Sequence, residues 1–119
     1  AIAQRNKLEF YVARKQRFGD REVKVSLPEA DYRGRHVVLV DDMVSTGQTL
    51  VATSHQLGSR QPASITAMVT HALFVNDALA RITAAGVDEI WSCDTILHAT
   101  NRITLTDSLA RALLSLRAK

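Results

Sequence analysis

The sequence predicts an α/β fold: a doubly wound, mostly parallel sheet with helices on both faces and a short flap after the first strand. Three observations carry that prediction. Short apolar runs rich in β-branched and aromatic residues alternate with helical patterns, as in successive βαβ units. One run, His36 to Val40, ends in the carboxylates Asp41 and Asp42 and then in Ser45-Thr46-Gly47-Gln48-Thr49, a loop that opens into a helix. The chain of 119 residues, 46% of them hydrophobic, suits a single domain with an ordinary core. Right-handed crossovers between parallel strands would set the helices on the sheet.

Taken in order, Ala1 to Lys7 reads as the end of a helix. The chain opens without an initiator methionine, so further sequence is expected upstream. Phe10 to Ala13 reads as the first strand. Arg14, Lys15 and Arg17 follow, then a turn at Gly19-Asp20; on charge alone this run is a solvated loop. Glu22 to Leu27 alternates charged and apolar residues, a half-exposed strand forming one arm of the flap. Pro28 to Gly34 is a polar connection.

His36 to Val40 is continuous and β-branched, which predicts a strand buried on both faces. The helix after it runs to about Leu57, with Leu50 and Leu57 near one face and Gly58 as terminator. Ser64 to Thr70 is an internal strand that ends at His71, which by itself reads as a structural hydrogen-bonder. Asn76 or Asp77 caps a helix through Ala85, with Leu79 and Ile82 inward and Gly86 closing it. Glu89 to Cys93 is another strand, and Trp91 reads as core or interface packing. Asp94, Thr95 and His98 fall at its ligand-bearing end. Ile103 and Leu105 make a brief extended piece, and Thr106 caps a final helix expected to bury Leu109, Leu113 and Leu116.

Composition excludes several classes. No apolar run approaches the ~20 residues of a membrane span, and 23% charged residues argues against a membrane or disordered chain. A single cysteine, Cys93, has no internal disulfide partner, which fits a cytoplasmic protein. The net charge of +3 is uneven: residues 1–35 hold nine Lys or Arg against five acids, residues 36–119 six against seven. No aromatic-rich basic motif accompanies the excess, so a phosphate-bearing small ligand is expected rather than nucleic acid.

The chemistry of the loop sharpens that expectation. A helix N-terminus with a glycine that admits close backbone approach favours an anion. Paired carboxylates repel phosphate but accept hydrogen bonds strongly from vicinal hydroxyls. A sugar phosphate satisfies both halves of the motif.

The stretch from Val38 to Thr49 resembles the signature of the phosphoribosyltransferase superfamily. Ala13 to Arg21, Val69 to Phe74 and Asp94-Thr95-Ile96 add a resemblance to the carboxyl-terminal domain of the ribose-phosphate pyrophosphokinase family, running from Ile2 into the last helix. That resemblance implies an enzyme transferring the pyrophosphoryl group of ATP to C1 of ribose 5-phosphate, with Mg2+, in a homo-oligomer. Residues 1–119 would form one phosphoribosyltransferase-like domain, the carboxyl-terminal part of a longer chain. Ser45, Thr46, Gly47, Gln48 and Thr49 would hold the 5-phosphate, Asp41 and Asp42 the ribose hydroxyls, and Lys15 and Arg17 the transferring phosphoryl group.

Two positions depart from the common bacterial pattern: Ser45 stands where aspartate is frequent, and Gln48 where a small residue is. The adenine-binding elements and the metal-binding histidine and aspartate are expected upstream of Ala1, so residues 1–119 alone should bind sugar phosphate weakly and make no product. The rival readings are a nucleobase phosphoribosyltransferase, which shares only the loop, and a non-catalytic regulatory homologue that binds sugar phosphate. A two-component receiver domain fits less well, since its acidic pair ends the first strand.

Overall fold

The computed structural model describes residues 2–19 and 22–118, with the side chain of Glu22 left aside. The elements in order are α1 (Ile2–Arg5), β1 (Arg14–Phe18), β2 (Glu22–Ser26), β3 (His36–Val44), α2 (Gln48–Gly58), β4 (Ser64–Ala72), α3 (Ala78–Ala84), β5 (Glu89–Cys93), β6 (Asn101–Ile103) and α4 (Thr106–Arg117). The α/β class is as the sequence predicts: β3-β4-β5-β6 form a parallel four-stranded sheet flanked by helices.

The strand order is unreversed, so right-handed crossovers carry α2 and α3 to the same face. There Leu50 and Leu57 of α2 and Ile82 of α3 pack on Ile65, Ala67 and Val69 of β4, with Val37, Leu39 and Ile90 beside them. Burying a side chain such as Leu57 or Ile82 contributes about 1.5–3 kcal/mol. The opposite face carries Val38, Val40, Met68 and Trp91, and among the described residues it has no comparable cover: Val40 is 76% exposed. The expectation that His36 to Val40 is buried on both faces is therefore corrected. Because α2 and α3 pack on the same side of the sheet, β3 buries one face only.

Phe10 to Ala13 is not a strand. These residues join no ladder, and Phe10, Tyr11 and Val12 are exposed. The basic run expected as a loop is the strand instead, because β2 offers it a partner: β1 and β2 pair antiparallel, Lys15 opposite Val25 and Arg17 opposite Val23. Pairing here outweighs intrinsic β preference. The flap is this hairpin. Gly19 takes a left-handed φ of 68° in its turn; Asp20 and Arg21 lie outside the described residues. Val25 is buried, and the Gln56 side-chain amide of α2 donates to its carbonyl, so the hairpin is fastened to the body through β2. Arg35 pairs with Glu9 at 2.7 Å, which ties the amino-terminal segment to the start of β3.

Four smaller expectations are also corrected. Gly58 is the last residue of α2 rather than its terminator; the chain turns at Gln61, φ 55°. Asp77 precedes α3 but makes no capping bond, its carboxylate being engaged by Arg81. Of the two expectations for Trp91, core or interface packing, the first is corrected: it lies on the open face, with its indole N–H on Glu89 at 2.7 Å. Thr106 is the first helical residue of α4, after Leu105, and α4 buries none of its side chains: Leu109, Leu113 and Leu116 are exposed. An apolar stripe there finds no element of the described chain to cover it.

Candidate functional site

The carboxyl end of β3, the loop after it and the start of α2 surround an open cleft of about 240 Å³. All nine residues singled out by sequence line it: Lys15, Arg17, Asp41, Asp42, Ser45, Thr46, Gly47, Gln48 and Thr49, together with Met43, Val44 and Leu50. Lys15 and Arg17 reach it because they share the hairpin face of Val23 and Val25, which is turned toward the body.

Asp41 and Asp42 stand within β3 rather than beyond it, since the strand continues to Val44. The Asp42 N–H donates to Asp41 Oδ1 at 3.0 Å. Burial pushes the Asp41 carboxyl above its ordinary value; that N–H works the other way, the Asp42 carboxylate adds to the rise, and the Lys15 ammonium opposes it.

The loop is organised by where its backbone groups go. The Val44 carbonyl accepts from Leu73 N–H at 3.1 Å, Ser45 from Val75 N–H at 3.2 Å, Thr46 from Arg81 Nη2 at 2.6 Å, and Gly47 from Val51 N–H at 2.9 Å. The N–H groups from Ser45 to Leu50 meet no acceptor among the described residues. Gln48 to Leu50 are the unpaired donors of any helix start; Ser45, Thr46 and Gly47 extend that row of unpaired donors along the cleft, an arrangement suited to an anion. Gly47 is required twice. Its φ is 76°, and a Cβ there would stand 2.7 Å from Ile82 Cδ1.

The histidines and the later acid lie outside this cleft. His71 Nδ1 is 2.8 Å from Thr95 Oγ1, which donates to the Thr70 carbonyl at 3.0 Å. Asp94 accepts from Leu105 N–H at 3.0 Å and Thr104 Oγ1 at 2.8 Å; the Leu105 N–H first and then the Thr104 hydroxyl hold its carboxyl below its ordinary value. It fastens the turn into α4. His98 bonds Thr100 at 2.8 Å and packs on Phe74. No group of three or more His, Cys, Asp or Glu among the described residues is placed to hold a metal ion, and no described helix is long and apolar enough to cross a membrane. Arg81 is the residue that sequence reasoning missed. Its one local signal is the Asp77 four residues earlier.

This strand, acid pair and donor-lined loop lie within residues 1–101, which the phosphoribosyl transferase domain family model matches. The chain belongs to that family. Within it, the chain is similar to the ribose-phosphate pyrophosphokinase of Methanopyrus kandleri, 33% identical over 105 residues that cover 88% of this chain and 36% of the relative. The corresponding protein of Sulfolobus acidocaldarius is 39% identical over 94 residues, 76% of this chain and 32% of that one. The phosphoribosylpyrophosphate synthetase of Mycobacterium smegmatis shares the fold, with a TM-score of 0.68 at 19% identity over 89% of this chain and 36% of that one. The chain thus spans about a third of the length of the curated relatives it matches.

Proposed function

We propose that this chain forms the ribose 5-phosphate-binding part of a ribose-phosphate pyrophosphokinase, an enzyme that transfers the pyrophosphoryl group of ATP to C1 of ribose 5-phosphate. The observation that carries the reading is the loop whose carbonyls from Val44 to Gly47 are all engaged while its N–H groups from Ser45 to Leu50 meet no acceptor among the described residues. Such a row of donors receives a phosphate without first giving up protein hydrogen bonds. Asp41 and Asp42, on the same cleft, take the ribose hydroxyls.

In the proposed reaction the C1 oxygen bonds to the β-phosphorus of ATP, the bond from that phosphorus to the AMP oxygen breaks, and the C1 hydroxyl proton is released. Lys15 and Arg17 offset the charge that grows on the transferred oxygens, the role of positioned cations in phosphoryl transfer. Mg2+ accompanies ATP as part of that substrate. Among the described residues no group of three or more His, Cys, Asp or Glu is placed to hold a metal ion.

Calorimetric titration of the chain with ribose 5-phosphate, ribose and inorganic phosphate tests the reading. Saturable binding of the sugar phosphate, tighter than of either part, is expected. Equal heats from all three ligands would refute it. Base-dependent release of pyrophosphate would instead identify a nucleobase phosphoribosyltransferase.

A further inference from the structure

We propose that Arg81, on α3, is a positioning residue that holds the Thr46–Gly47 peptide in its anion-accepting orientation. The inference rests on the sugar-phosphate reading of the cleft and extends it to a residue that does not line the cleft.

Arg81 Nη2 donates to the Thr46 carbonyl at 2.6 Å, a short charge-assisted bond. A trans peptide is planar, with its C=O and N–H pointing in opposite directions. Drawing the Thr46 oxygen toward α3 therefore turns the Gly47 N–H away from α3, into the row of unpaired donors. The two preceding peptides are oriented in the same way by the backbone N–H groups of Leu73 and Val75. Those two tethers persist whatever the side chains are. The third depends on one side chain, and it acts on the peptide that precedes the glycine, where rotation meets least steric resistance.

The guanidinium is itself held. Asp77 Oδ1 lies 3.0 Å from Arg81 Nε, one helical turn earlier, so two of the three guanidinium nitrogens are engaged. The next residue of α3, the fully buried Ile82, occupies the space that a Cβ at Gly47 would need. Helix α3 thus fixes the depth of the loop through Ile82 and the direction of its peptide through Arg81.

Removing the tether lets the Thr46–Gly47 peptide turn in the free protein, and a phosphate must then restore it on binding. Arg81→Gln is expected to weaken ribose 5-phosphate binding roughly tenfold, while its effect on free ribose stays within experimental error. Arg81→Lys, which keeps a cationic donor on a long stem, is expected to recover most of the loss. Asp77→Asn, which leaves Arg81 in place but loosens it, is expected to lose about twofold and serves if Arg81→Gln does not fold.

The purified chain is titrated with ribose 5-phosphate and ribose, and the Gly47 amide is followed by 15N NMR. The proposal expects that resonance to broaden in free Arg81→Gln and to sharpen at saturation. Equal ribose 5-phosphate affinity in wild type and Arg81→Gln, or in wild type and Asp77→Asn if the first variant is unfolded, overturns the positioning role and leaves the sugar-phosphate reading standing. A wild-type chain that takes up no ribose 5-phosphate overturns that reading and the proposal with it.

Discussion

Gly47 and Ile82 occupy adjoining space so closely that a methyl group on the first would press against the second at 2.7 Å. The donor row of the loop and the hydrophobic core of the domain meet at this contact. A substitution at Gly47 therefore disturbs both.

Gly47→Ala adds the strain of a left-handed backbone to that clash. A loss of about 1–3 kcal/mol in stability is expected, together with loss of ribose 5-phosphate binding. Adding Ile82→Ala removes the obstructing side chain but opens a cavity, so the double variant should fall short of the sum of the two single losses. Denaturant melts of the four proteins check this; simple additivity would mean that the two residues do not meet.

Asp41 is predicted to trade stability for binding. The folded carboxyl of Asp41 is raised by burial, so its ionised form is disfavoured in the folded state. The penalty is absent below the unfolded pKa and complete above the folded one. Asp41→Asn should consequently melt above wild type at neutral pH, with the gap closing as pH falls through the carboxylate range. The same variant should bind ribose 5-phosphate roughly 10- to 100-fold more weakly, as for the loss of a charge-assisted acceptor. Tm measured against pH, alongside calorimetry, gives both readings; a variant less stable than wild type at neutral pH would contradict the first.

The hairpin depends on its seam with α2. Val25→Ala, at a buried position that Gln56 adjoins, should cost about 1–3 kcal/mol and speed proteolytic cleavage between Arg14 and Ser26 more than elsewhere. Uniform protection in a limited digest would show that the hairpin is held by other contacts.

Lys15→Ala addresses catalysis rather than binding. In the proposed reaction Lys15 acts on a group that arrives with ATP, so in the active enzyme this change should lower kcat by an order of magnitude or more, roughly as removal of one transition-state donor does. KM for ribose 5-phosphate should hardly move. Steady-state kinetics with the sugar phosphate varied provide the check. A wild-type kcat would return the basic run to the role of a plain solvated strand.

Most of the site was legible because its signals are local. The apolar run, the acid pair and the hydroxyl-rich loop follow one another within 14 residues, from His36 to Thr49, and each has its own chemistry. What was not legible depends on distance. Arg81 acts on a carbonyl 35 positions away, and the sequence carries no mark of a bond to a backbone oxygen. Periodicity also reports that a face is apolar, not that it is covered. Helical periodicity located α4 and a continuous apolar run located β3, but these signals placed Leu109, Leu113, Leu116, Val38 and Val40 inside, where the structure leaves them exposed. The strand expected at Phe10 to Ala13 failed for a related reason, because a strand is completed by its partner and β2 pairs with the basic run instead.

The position of β3 at the rim of the sheet has a consequence for handling the protein. Among the described residues no strand pairs with the outer side of its backbone, which runs beside the bare side chains of Val38 and Val40 with no proline to interrupt it. A strand so disposed recruits foreign strands, and its only acidic deterrents, Asp41 and Asp42, sit toward one end. A Val38→Lys or Val40→Lys substitution, which sets a charge on the bare rim, should keep concentrated preparations clear for longer.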